Sequence, residues 1–132
     1  MSELELAEIQ EAEFVLQPRL DGRCLHLVLS GSADGQVESI LIQFFRRLHA
    51  EALRLGVREV VVDLQRLDFM NSSCFKGFIV WIDAASSAHV LDRYRIRLRS
   101  NTSFHWQVRS LDALRRMAPS IIDIESIAEV VP

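Results

Sequence analysis

The sequence predicts an α/β protein built on a mixed β-sheet, and three observations carry that expectation. Apolar residues recur with a period of two, or in solid runs, in some segments and at helical spacing in others. Along the chain these alternate as strand, strand, helix, strand, helix, strand, helix, strand. The run Val60-Val61-Val62 is apolar on both faces of a strand, as a central strand covered by helices or neighbouring strands requires. Asp21-Gly22, between two strand-like runs, is a hairpin signal. The first pair is therefore antiparallel, and the helical crossovers that follow imply right-handed parallel connections.

Residues 1–12 are an acidic lead-in with Leu4, Leu6 and Ile9 as anchors, and residues 13–132 form the single domain. Phe14 to Gln17 and Arg23 to Ser30 are the hairpin strands, separated by Pro18-Arg19-Leu20-Asp21-Gly22. In the second strand Leu25, Leu27 and Leu29 share one face and His26, Val28 and Ser30 the other. Val37, Ile40, Leu41, Phe44, Phe45, Leu48, Ala52 and Leu55 predict a helix over Val37 to Leu55, which Gly56 stops. Its other face, with Glu38, Gln43, Arg46, Arg47, Glu51 and Arg54, is expected to be solvated.

Glu59 to Leu64 is the central strand. After a loop, Phe75, Phe78, Ile79, Ile82 and Ala85 predict a second amphipathic helix, with Trp81 off its stripe. Tyr94 to Arg99 alternates strictly, so Arg95, Arg97 and Arg99 share a face that must meet water or an acidic surface. A third helix from about Ser103 turns Phe104, Val108, Leu111, Leu114 and Met117 inward and ends before Pro119. Ile121 to Ile124 is the last strand, and Ser126 to Val131 is a final helical turn or a tail.

A chain of 132 residues with 49% hydrophobic and 25% charged residues has the composition of a packed globular domain. Fifteen basic against eighteen acidic residues leave −3, so no global positive field draws in nucleic acid. No apolar run approaches the roughly 20 residues that span a bilayer, and the acidic start is unlike a signal peptide. The expectation is a cytoplasmic protein with no membrane insertion. Cys24 and Cys74 lack ligand-like spacing, which predicts reduced, largely buried thiols, no metal and no cofactor.

Asn71-Ser72-Ser73 stands where a strand gives way to a helix. Asparagine is a strong N-cap, and the first turn of a helix offers unpaired N–H groups and the positive end of the macrodipole. A hydroxyl in that turn is a natural seat for a covalent phosphate. Catalysis is less well served. Ser72 with one of His26, His49, His89 or His105 would make a small serine hydrolase, but the Gly-x-Ser-x-Gly elbow is absent and no histidine stands in a local motif. The expectation is a protein that is not an enzyme.

Leu67-Asp68-Phe69-Met70-Asn71-Ser72-Ser73 after a valine-rich strand resembles the signature of STAS domains, the family of the bacterial anti-sigma-factor antagonists. There a strand leads into Phe-Met/Ile-Asp-Ser-Ser-Gly and a helix. Leu29-Ser30-Gly31-Ser32-Ala33-Asp34 resembles the family's Leu-x-Gly-x-Leu-Asp segment at the end of an earlier strand. The resemblance covers roughly Phe14 to Ile124, and it implies a single-domain STAS-like fold with an N-terminal hairpin and helical crossovers.

The function it implies is partner switching in transcription control. The unmodified protein binds an anti-sigma kinase, or another STAS-binding protein, through Gly31, Ser32, Asp34, Asn71, Ser72, Ser73 and Lys76. Phosphorylation of Ser72, in preference to Ser73, releases it. Two positions depart from the motif. Asn71 replaces the family's aspartate, and Cys74 replaces its glycine, placing a side chain where an approaching kinase would otherwise meet bare backbone. The alternative is a STAS scaffold subunit of a signalling or transport assembly that is never phosphorylated.

Overall fold

The computed structural model describes residues 4–127. Six strands form one sheet in chain order: β1 (Ile9–Glu11), β2 (Phe14–Asp21), β3 (Cys24–Ala33), β4 (Glu59–Met70), β5 (Arg95–Asn101) and β6 (Ile122–Ile127). β2 is antiparallel to both β1 and β3, and β3 through β6 are parallel. Each parallel connection carries one helix: α1 (Glu38–Leu55), α2 (Phe75–Ser87) and α3 (His105–Met117). Crossovers of one hand that always step in the same direction leave all their helices on one face of the sheet. The core lies in that single interlayer, where Phe14, Leu16, Leu25, Leu27, Leu29, Val60, Val62, Ile96 and Leu98 meet the helices.

Of the two kinds of cover expected for β4, helices supply one face only. Val61 points to the open face and is still only 6% exposed, standing in register between His26 and Arg97. Its cover comes from sheet neighbours and from no helix. The open face also answers the demand of the three arginines of β5. Arg95 pairs with Asp123, Arg97 with Glu59 (3.1 Å) and Glu125 (3.7 Å), and Arg99 with Asp63 (3.4 Å) and Glu125 (3.5 Å). The acidic surface they require is supplied by the adjacent strands.

Several elements differ from the sequence expectation. Ile9–Glu11 of the acidic lead-in pairs with β2, and Leu4, Leu6 and Ile9 pack on the core. β2 continues through Pro18 to Asp21, because β1 ends opposite Leu16 and the proline lies where one side of β2 has no strand partner. The hairpin turns at Gly22 with φ +60°. Glu51 is buried rather than solvated, held by Arg54 (2.6 Å) and by the Glu5 N–H (2.9 Å). β6 runs on to Ile127, so Ser126 is strand and not helix. The expected tail beyond it, Ala128 to Val131, lies outside the described residues.

The inward face of α2 is Gly77, Phe78, Trp81, Ile82 and Ala85, while Ile79 is exposed, a rotation of the expected stripe. Gly77 causes it. A Cβ there would lie 3.0 Å from Phe45 Cδ2 and 3.3 Å from the Leu41 carbonyl, so the glycine lets α2 seat closely on α1. Trp81 then stacks on Phe45 with centroids 5.2 Å apart, and its indole N–H donates to the Tyr94 hydroxyl (2.8 Å). In α3, Val108 and Met117 are exposed and Gln107 is fully buried. β4 pairs with β5 only as far as Asp63. Beyond that point Gln107 bridges the opening: Nε2 donates to Leu64 O (2.7 Å) and Leu67 O (3.1 Å), and Oε1 accepts the Asn101 N–H (2.8 Å).

Candidate functional site

The residues expected to meet a partner come together at the carboxyl ends of β3 and β4, which are adjacent parallel strands. Ser32 stands opposite Phe69 and Ala33 opposite Met70. Each strand then passes into a 3-10 turn capped by its own side chain. Asp34 Oδ1 accepts the Gln36 N–H (2.9 Å) to open the turn Gly35–Val37 ahead of α1. Asn71 Oδ1 accepts the Ser73 N–H (2.9 Å) to open the turn Ser72–Cys74 ahead of α2. The serines therefore sit in a 3-10 turn and not in the first turn of the α-helix itself.

The two turns are stitched to each other. The Asn71 N–H donates to Ala33 O (2.7 Å), and the Cys74 thiol donates to Asp34 O (3.1 Å). Lys76 on α2 reaches Glu38 on α1 at 3.2 Å across the same gap. Cys74 is wholly buried, and burial pushes its thiol up from the ordinary value. The expectation that it presents a side chain to an approaching surface is corrected, because it faces the first turn and fastens it. Gly31 serves the backbone: its φ is +86°, a Cβ would collide with Glu13 O, and the Ser32 N–H donates to that same carbonyl (3.1 Å).

The geometry separates the two serines. The Ser73 hydroxyl donates to Asn71 Oδ1 (2.9 Å) and is half-buried. The Ser72 side chain is exposed, and its hydroxyl has no hydrogen-bond partner among the described residues. None of the four histidines bonds to Ser72. His49 Nδ1 is paired with the Tyr94 hydroxyl (2.8 Å), and His89 Nδ1 accepts the Leu91 N–H (3.2 Å). Among the described residues no cluster of three or more histidine, cysteine, aspartate or glutamate side chains could hold a metal, and no helix is long and apolar enough to cross a membrane.

The surface around the turns has an apolar component that the sequence reading missed. Phe69 is 47% exposed, although the alternation of β4 would place it on the same side as the buried Leu67. The register slips between Gly31 opposite Leu67 and Ser32 opposite Phe69, and this bulge turns Phe69 outward. Ile79 and Val80 follow Lys76 on the outer face of α2. Trp106 packs edge-on against Phe75 (6.2 Å) and donates its indole N–H to Asp68 O (2.8 Å). The signal for Phe69 is the extra residue of β4, Asp68, which only strand pairing makes visible.

No family model and no curated protein sequence matches the chain. Solved structures do. An anti-sigma factor antagonist from Mycobacterium paratuberculosis aligns with a TM-score of 0.62 at 12% identity, over 85% of this chain and 85% of that one. SiaC from Pseudomonas aeruginosa, in complex with the diguanylate cyclase SiaD that it activates, aligns with a TM-score of 0.63 at 17% identity, over 92% of this chain and 99% of that one. The fold is thus STAS-like, that of an anti-sigma-factor antagonist, and it is the fold that these likenesses establish.

Proposed function

We propose that the chain is a non-enzymatic, cytoplasmic signalling protein that works by partner switching. The unmodified form binds a protein partner, an anti-sigma kinase or another regulator that recognises STAS-like domains. Contact is made through the paired turns, with Ser32, Asp34, Asn71, Ser72, Ser73 and Lys76, and through the neighbouring Phe69, Ile79 and Val80. Phosphorylation of Ser72 releases the partner. The observation that carries this reading is the contrast between the serines: Ser72 alone offers an exposed, unengaged hydroxyl in a capped turn ahead of a helix.

A phosphate on Ser72 adds a charge of about −1.5 to −2 to a surface that already holds Asp34, Glu38 and Asp68. Lys76 is committed to Glu38, so the new charge would have to share that cation. Desolvating it beneath a partner is unfavourable, and the complex opens. The roles of the structural neighbours, an anti-sigma factor antagonist and an activator bound to its enzyme, support a reading in which this fold engages another protein.

The test is phosphorylation followed by binding. Intact mass after incubation with ATP and a kinase that acts on STAS domains should show one phosphate on wild type and none on Ser72→Ala. Ser72→Asp should weaken the partner complex while Ser72→Ala preserves it. Equal partner affinity for wild type, Ser72→Asp and the phosphorylated protein would instead identify a scaffold subunit without a switch.

A further inference from the structure

At the opposite ends of the parallel strands, the chain enters β3 and β4 directly after Arg23 and Arg58, and β5 two residues after Arg93. With the end of α1 and with Leu91 and Asp92, these arginines line a hollow of about 180 Å³. Arg93 donates to the carbonyls of Ala88 (3.2 Å) and Ser86 (3.3 Å), neutral acceptors that leave its charge uncompensated. Arg23 and Arg58 have no side-chain partner among the described residues. Asp92 is the single acid in the lining, so the hollow is locally positive in a chain of net charge −3. The Gly56 and Val57 N–H groups close two of the terminal carbonyls of α1, at Leu53 and Ala52, and neither Arg23 nor Arg58 bonds to the helix end among the described residues.

Beside the hollow stand Val90, 69% exposed, and Leu91, 83% exposed. They project from a 3-10 turn, Val90–Asp92, that His89 caps through Nδ1. Two aliphatic side chains held in water next to three arginines have no role in the core.

We infer that this pole is a second protein-docking surface, which takes a short acidic and aliphatic segment of a partner. A carboxylate seats among the guanidiniums of Arg23, Arg58 and Arg93, and an aliphatic side chain covers Leu91. Charge complementarity and the size of the hollow, fit for one carboxylate, select this occupant. An anionic bilayer or a nucleic acid would meet the same arginines, but the net negative domain behind them repels an extended anionic surface. The twelve residues of β4 separate this pole from Asn71 by about 40 Å at roughly 3.3 Å per residue, so both ends can be occupied at once. The inference does not rest on the switch at Ser72.

The test uses the full chain and a fluorescein-labelled peptide of alternating glutamate and leucine. A matched glutamine–leucine peptide and phosphatidylglycerol vesicles serve as comparisons, with affinity read by anisotropy and vesicle sedimentation and the site by amide shifts. The acidic peptide should bind and shift the amides of Arg23, Arg58 and Leu91. Arg23→Gln with Arg58→Gln should weaken it about tenfold and Leu91→Ser about threefold, while Ser72→Asp leaves it unchanged. These side chains lie at the surface, and unaltered circular dichroism would confirm that the variants fold. Equal binding of the glutamine peptide, shifts at another surface, no binding, insensitivity to the arginine changes, or binding of vesicles in place of the peptide would each overturn the inference.

Discussion

Ser72 and Ser73 are chemically alike and adjacent, and one acceptor divides their roles. Asn71 Oδ1 takes both the backbone N–H and the hydroxyl of Ser73, which leaves Ser72 alone in water. Asn71→Ala should therefore cost about 1 kcal/mol in chemical unfolding, whereas Asn71→Asp should leave stability unchanged or raise it by roughly 0.3–1 kcal/mol. A larger loss for aspartate than for alanine would contradict the capping role. His49 is set by its neighbours in a similar way. The Tyr94 hydroxyl accepts the Trp81 indole N–H and is also hydrogen-bonded to His49 Nδ1 (2.8 Å). Burial lowers the His49 pKa below its ordinary value. The unfolded chain then takes up a proton that the folded one resists. The His49 contribution should be constant above about pH 6.5 and should fall as the pH drops from there toward the folded pKa. Urea unfolding between pH 5 and 8 should show a shallower decline in His49→Phe than in wild type.

At the scale of elements, the hydrophobic period of α2 places its helix and the inward Phe78, Ile82 and Ala85 correctly, but Trp81 is buried where Ile79 was expected. Gly77 is the reason, and it supplies a test. Alanine there would gain up to about 1 kcal/mol of helix propensity, yet its Cβ would press on Phe45 and on the Leu41 backbone, which cannot yield. Gly77→Ala should be net destabilising by about 1–2 kcal/mol in thermal or urea unfolding, and a stabilised variant would show that the helices have room to part. In α3 the contrast lies between Gln107 and Val108. Gln107→Leu should cost about 2–4 kcal/mol, because it strands two carbonyls of β4 and the Asn101 N–H. Val108→Ser, at a position expected inward but found exposed, should change stability by less than about 0.5 kcal/mol.

At the scale of the molecule, one layer of helices on one face leaves a sheet whose two sides obey different physics. Ile96→Asp, on the helical side, should unfold the domain. Arg97→Ser, on the open side, should cost less than about 1 kcal/mol although it breaks two ion pairs, because these remain in contact with water. Similar losses in the two variants, compared by circular dichroism and urea titration, would mean that the open face is covered. What the sequence by itself determined was the order of elements from β2 onward, the hairpin, the stop at Gly56, the two faces of β5 and the cap at Asn71. Each of these is a property of a few consecutive residues, whether a period, a turn or a side chain that bonds its own backbone. Tertiary structure alone decided that the Cys74 thiol bonds to the Asp34 carbonyl of the first turn, that Phe69 turns outward at a bulge, that Gln107 fills the opening beyond Asp63, and that Arg23, Arg58 and Arg93 share a hollow. These depend on the register and spacing of strands and helices distant along the chain, which no local pattern encodes.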